Sequence, residues 1–151
     1  MFVPLRMRAL FPPTAQVKME DIKSILDSTI KGPRNLADVV TPRALDTIIK
    51  ACEQAKESGY KPHKDVIIVD HNSSYVNWAA GYSPCITATR GASHGHWITH
   101  LRRVMSISEM VKLMGVRPER VAAWSEHVSV SAFGHVIGNA VHVGLIKRLL
   151  Q

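Results

Sequence analysis

The chain has 151 residues, 46% of them hydrophobic and 21% charged, a balance that excludes a disordered chain and lets a core form without a metal or disulfide staple. The net charge of +7 favours polyanion partners, since each neutralised phosphate releases condensed counterions, although a merely basic globular protein is the alternative reading. Cys52 and Cys85 stand far apart with no Cys-x-x-Cys pair, and no run has the apolar core of a secretory signal or the roughly 20 apolar residues that span a bilayer, so a soluble intracellular protein with no membrane partner is expected, nuclear if eukaryotic.

Residues 1–17, with Pro4, Pro12 and Pro13, read as a strand fragment and linker. From Met19 to Ile30, the spacing of Ile22, Ile25 and Leu26 predicts a short amphipathic helix, broken by Gly32-Pro33. The next helix is punctuated by Thr41 as N-cap, Pro42 at its first position and Gly59 beyond its end. Its predicted apolar stripe is Leu45, Ile48, Ile49, Cys52 and Ala55, which makes Cys52 a small core residue. The run Asp65 to Asp70 predicts a buried strand, residues 71–84 a polar loop, and the β-branched alternation of Ile86 to Thr89 a second strand. Residues 90–100, rich in Gly and His, are expected to form a loop.

Ser106 and Glu109 form a predicted capping box, in which each satisfies an orphan donor of the other. Ile107, Met110, Val111 and Met114 make that helix's apolar face and Gly115 ends it. A short helix follows over Pro118–Trp124, and Asn139 is the expected N-cap of a final apolar helix from Ala140 to Leu150.

Three segments taken together carry a resemblance: Ser83-Pro-Cys-Ile-Thr-Ala-Thr-Arg-Gly91, Arg102-Arg-Val-Met-Ser-Ile-Ser-Glu-Met-Val-Lys-Leu-Met-Gly115 and Ile137-Gly-Asn-Ala-Val141. In this order and spacing they resemble the C-terminal part of the DNA cytosine-5 methyltransferases, firmly over residues 83–150 and more loosely over 14–82, where Val17 to Ile22 looks like the entry to the recognition region. In that family a Pro-x-x-Thr tract closes the target-recognition region, an arginine-opened helix follows, and a Gly-Asn-Ser/Ala-Val turn opens the last helix. The sequence departs from the family at Ser108, Met114, Val116-Arg117 and His142.

The resemblance implies an α/β enzyme of which this chain is a mixed α+β fragment: the C-terminal part of a Rossmann-like, S-adenosylmethionine-dependent methyltransferase with a small target-recognition domain. Residues 1–13 would end a catalytic-domain strand, 14–100 form the recognition region, and 101–151 return to the catalytic domain. It further implies that Gly138, Asn139, Ala140 and Val141 line the S-adenosylmethionine pocket, with plain capping the alternative for Asn139. Thr87, Thr89, Arg90 and Arg102 suit double-stranded DNA, since arginine pairs with guanine or clamps phosphate and threonine serves either contact. A solvated basic loop is the alternative, and for Arg103 a structural role inside the fold.

No catalytic residue is assigned. The family's cysteine nucleophile, its Glu-Asn-Val glutamate and its glycine-rich cofactor loop belong to an N-terminal half that this sequence does not match, and without the nucleophile no turnover is expected. Cys85 sits in the Pro-x-x-Thr tract and reads as a packed strand cysteine. His94, His96 and His100 lack close partners for a four-ligand zinc site and are expected to face DNA or solvent, so no metal is assigned. Three readings stay open: a fragment of a complete methyltransferase, one subunit of a split enzyme that needs a separate catalytic half, and a stand-alone DNA-binding module.

Overall fold

The structure is a computed structural model and describes residues 19–33, 40–121, 127–143, 146 and 150. The expectations for residues 1–17, for the end of the helix at Trp124 and for most of the final helix lie outside those residues. The described elements are α1 (Met19–Ile25), α2 (Pro42–Glu57), β1 (Ile67–Asp70), β2 (Trp78–Ala80), α3 (Ala88–Ala92), β3 (His96–Ile98), β4 (Arg103–Val104), α4 (Ile107–Leu113), a 3-10 turn (Pro118–Arg120) and α5 (Val130–Asn139).

The strands form one sheet in the order β2-β1-β3-β4, antiparallel at every pairing. The architecture is therefore mixed helix and sheet. Its antiparallel pairing differs from the parallel, doubly wound sheet of a Rossmann-like domain.

Strand geometry sends alternate side chains to opposite faces, and two cores result. Val66, Ile68, Ile98 and Met105 face one side, where they meet Ile22 and Leu26, Met110 and Val111 of α4, and Phe133 and Ile137 of α5. Ile67, Val69 and Trp97 face the other side and meet Ala44, Ile48, Ala51 and Ala55 of α2. A four-residue strand buried along its whole length thus joins both layers.

α2 starts and stops where its punctuation dictates. The Thr41 hydroxyl accepts from the Ala44 amide at 3.2 Å, and Gly59 takes the left-handed φ of 86°. Its buried stripe is rotated from the predicted one: Ala44, Thr47, Ile48, Ala51 and Ala55 are buried, Leu45 and Cys52 are half-buried, and Ile49 is 49% exposed. Small residues let the helix lie close to the sheet, so large side chains go to its flanks. Across the end of α2, Trp78 donates to Gln54 at 3.1 Å and stacks edge-on with Tyr60 at 5.9 Å.

Four further expectations are corrected. α1 ends at Ile25, because Asp27 draws the Thr29 amide and hydroxyl into a turn at 2.8 and 2.6 Å. The predicted strand at Ile86–Thr89 is an N-cap and a helix: Thr87 caps α3, and its hydroxyl accepts from the Arg90 amide at 3.4 Å. The loops 71–84 and 90–100 contain β2 and β3, short strands that pair with β1 and, for β3, also with β4. Residues 130–139 form α5, capped by Ser129, so Gly138 and Asn139 close that helix and Asn139 caps no later one. Beyond it, helical bonds run from Ile146 to His142 and from Leu150 to Ile146, both at 3.2 Å.

Candidate functional site: a cleft where separated segments meet

α3 and α5 cross in contact, and glycine makes the crossing possible. A Cβ on Gly91 would strike the Gly134 carbonyl, one on Gly134 would strike the Gly91 carbonyl, and one on Gly138 would strike the backbone at Thr87 and Ala88. The absence of side chains lets the two backbones touch. Consequently the Thr-Ala-Thr-Arg-Gly and Gly-Asn-Ala-Val segments, some fifty residues apart, lie side by side.

α4 completes the group. Its capping box forms as read from the sequence: Glu109 donates its amide to the Ser106 hydroxyl at 3.3 Å, and its carboxylate accepts from the Ser106 amide at 2.8 Å. Met114 follows, and its carbonyl accepts from the Val143 amide at 3.0 Å, tying the chain after α5 to the end of α4. Gly115, at φ 74°, turns beside the His142 ring, which a Cβ there would approach to 3.2 Å.

Between these segments opens a cleft of about 360 Å³. Pro84, Cys85 and Ile86 form one wall, Leu113 and Met114 a second, and Gly138, Ala140 and His142 a third, with Ile22 and Tyr82 also present. Among the described residues no Asp, Glu, Lys or Arg lines it. Such a surface suits a flat, largely uncharged group held by apolar contact with a few backbone polar atoms. Of the four residues expected to line a cofactor pocket, Gly138 and Ala140 are on its wall, whereas Asn139 is exposed and Val141 is 54% exposed. Cys85 is exposed on the same wall, so the expectation of a packed strand cysteine is corrected: its segment leaves the sheet to become the cap of α3.

The residues expected to contact DNA are distributed differently. Thr87 and Thr89 are exposed on α3. Arg90 is 22% exposed and its Nε lies 2.8 Å from the Asp70 carboxylate, so part of its guanidinium holds α3 to the end of β1. Arg102 is exposed in the β3–β4 turn with a left-handed φ of 52°, beyond β3 from the α3 group.

The expectation that the histidines face DNA or solvent is corrected for His96, which is fully buried in β3, where its ring nitrogens have no well-formed hydrogen bond and only a weak backbone interaction at Pro84. Burial holds its imidazole below the usual pKa, against the opposing charge of Asp70. His71, also buried, is pushed down by burial, although its Nε2 lies 3.1 Å from the His94 carbonyl. These two histidines flank the Asp70–Arg90 pair in a polar node that nothing in the sequence pattern announced. Among the described residues no group of three or more His, Cys, Asp or Glu could hold a metal ion, and no helix is long and apolar enough to cross a membrane.

Arg103 and Glu109 make the most completely satisfied polar pair. The guanidinium donates to both carboxylate oxygens at 2.8 and 2.6 Å with the partners 3% and 1% exposed. It also donates to the carbonyls of Asp27, Ile30 and Val104 at 2.7, 3.2 and 3.0 Å. Burial raises the Glu109 pKa, but hydrogen bonds from Arg103, the Ser106 and Asp27 amides and the Ser106 hydroxyl outweigh it and hold the carboxyl below its usual range. The structural reading of Arg103, open in the sequence, is the one observed.

No family model matches the chain, and comparison with curated proteins and with solved structures found no match.

Proposed function

We propose that this chain supplies the target-recognition and cofactor-side elements of a DNA cytosine-5 methyltransferase. One observation carries the reading: the three segments that resemble the family, separate in sequence, line a single cleft through Pro84 to Ile86, Leu113 and Met114, and Gly138 and Ala140. A chance likeness in three short stretches gives no reason for them to converge.

In this reading the cleft's apolar walls take one side of S-adenosylmethionine, with Gly138 and Ala140 nearest it and Asn139 and Val141 at the edge. Thr87, Thr89, Arg90 and Arg102 face double-stranded DNA, which the +7 charge favours. The target cytosine must leave the stack, because its reactive carbons are unreachable within the duplex. The nucleophile that adds to carbon 6 comes from a catalytic half, on the same polypeptide or on a second subunit, and the helices after residue 101 return to that half's Rossmann-like domain. Val136 and Val141, 52% and 54% exposed, together with Ile146 and Leu150, offer an apolar surface for that docking.

The experiment mixes the chain with the catalytic half of a cytosine-5 methyltransferase and follows transfer of a labelled methyl group to duplex DNA. Restored transfer, reduced at least tenfold by Ala140→Trp across the cleft wall, is the expected result. No transfer, together with no crosslinking of labelled S-adenosylmethionine to the mixture, overturns the reading. Sequencing the locus upstream of Met1 then distinguishes one polypeptide from two.

A further inference from the structure

On the opposite face of the sheet, beside α2, lies a second cavity of about 450 Å³ whose walls differ in kind from those of the cleft. Lys56, His63, His100 and Arg102 line it, with the buried Trp97 indole among its apolar walls. No acidic side chain lines it, and neither Lys56 nor Arg102 forms an ion pair among the described residues.

We propose that this cavity holds a backbone phosphate of a nucleic acid, as an anchor separate from the cleft. Four side chains from three places in the sequence converge on it: the last turn of α2, the loop before β1, and the β3–β4 turn. All four offer N–H donors, the chemistry that a phosphate's acceptor oxygens require. His100 is half-buried on the cavity wall, and its Nδ1, which is shielded from solvent, has no hydrogen-bond partner among the described residues. Burial first, and then the positive charges of Lys23 and Arg103, lower the pKa of His100.

Lys56 and Arg102 are exposed. Exposed cations suit a phosphate carried past on a long polyanion better than a small molecule that must be enclosed. The left-handed backbone of Arg102, φ 52°, fixes where that side chain leaves the turn. As a nucleic-acid contact the site rests on the methyltransferase reading, yet its residues, apart from Arg102, are not those that the resemblance singles out.

The test measures binding of a labelled 20-base-pair duplex to the full chain over a salt series. It compares wild type with Lys56→Gln/Arg102→Asn, in which asparagine tolerates the left-handed turn, and with Lys50→Gln. Lys50 lies on the same helix, paired with Asp46 at 2.7 Å and outside the cavity. Each phosphate contact adds roughly 0.9 to the salt slope of log K, so losing one weakens binding about eightfold at 0.1 M salt relative to 1 M. The double variant is expected to lose that much, equally on any duplex sequence, with the slope lowered by about one and Lys50→Gln unchanged.

Unaltered affinity and slope in the double variant overturn the proposal and the Arg102 contact with DNA, while leaving the rest of the methyltransferase reading standing. A wild-type chain that binds no duplex overturns both. If inorganic phosphate at matched ionic strength shifts the His100 imidazole resonances while the double variant still binds duplex like wild type, the cavity takes free phosphate and the backbone contact is refuted.

Discussion

Among the described residues two arginine–carboxylate pairs form, and they differ in how completely their surroundings satisfy them. Around Arg103 and Glu109, both carboxylate oxygens and all three guanidinium nitrogens have partners, and the pair pins the turn after α1, β4 and α4 together. Around Asp70 and Arg90, one nitrogen spans both carboxylate oxygens at 2.8 and 3.0 Å, and beside it His71 Nδ1 and both ring nitrogens of His96 are buried without a well-formed hydrogen bond among the described residues. A closed network gains rigidity and has no capacity left for anything else. An open one leaves buried polar atoms at a cost that packing alone does not explain. The difference separates architecture from the part of the molecule, around α3 and β3, where a ligand or partner would find unused hydrogen-bonding groups.

The sharpest way to break the comparison is Glu109→Ala. It strands a guanidinium that is 3% exposed and removes half of a capping box, and breaking a buried pair on one side costs roughly 3–5 kcal/mol. Chemical denaturation should show a loss in that range, with Glu109→Gln intermediate because the amide keeps an acceptor for the Ser106 amide. The corresponding change in the open node, Asp70→Asn, should cost less, about 1–3 kcal/mol, since Arg90 reaches solvent. Equal losses from the two would remove the distinction between the nodes.

A smaller effect probes the crossing that forms the cleft. Gly134→Ala places a methyl against the backbone of Gly91 and Ala92, atoms that cannot rotate away. The helices must separate, at a cost of roughly 1–3 kcal/mol. Gly59→Ala, at a left-handed residue with open space around it, supplies the control for strain without crowding. If Gly134→Ala proves neutral by thermal denaturation, the close approach of α3 and α5 is wrong, and so is the cleft built upon it.

How much of this could be read in advance follows from the range of the interactions involved. Thr41, Pro42, Ser106, Glu109 and Gly115 were legible because capping is settled within four residues. Ile86 to Thr89 misled because β-branched alternation is also what an N-cap preceded by apolar residues looks like, and the deciding contact, Gly91 on Gly134, is more than forty residues away. α5 was legible in principle, from Ser129 followed by Val130, Phe133 and Ile137 at helical spacing. Gly138 and Asn139, which resemble the opening of a helix, close this one instead. β2 and β3 were not legible: three-residue strands draw their stability from partners across the sheet. Within the candidate site, Gly138 and Ala140 were named from the sequence. The basic cavity was not, because its lysine, histidines and arginine share no motif.

The smallest effect is graded in pH, and it tests the open node directly. His71, His96 and His100 all have their pKa lowered in the fold, by burial first, from an ordinary value of 6.5. The unfolded chain therefore binds more protons than the fold once the pH falls through about 6.5, and stability must decline with acidification there. The contribution is fully present above that pH and lost progressively below it. Glu109, held below its ordinary 4.5, acts in a separate window: its contribution persists until the pH falls through that range and is lost only there. Denaturation midpoints measured from pH 7.5 down to 3.5 should thus show two acid limbs, the upper from the three histidines and the lower including Glu109. Replacing His96 by phenylalanine, of similar shape but without titrating nitrogens, should flatten the upper limb and leave the lower one in place. An upper limb unchanged in His96→Phe would mean that the buried imidazole is satisfied in solution, and the contrast between the two nodes would fall with it.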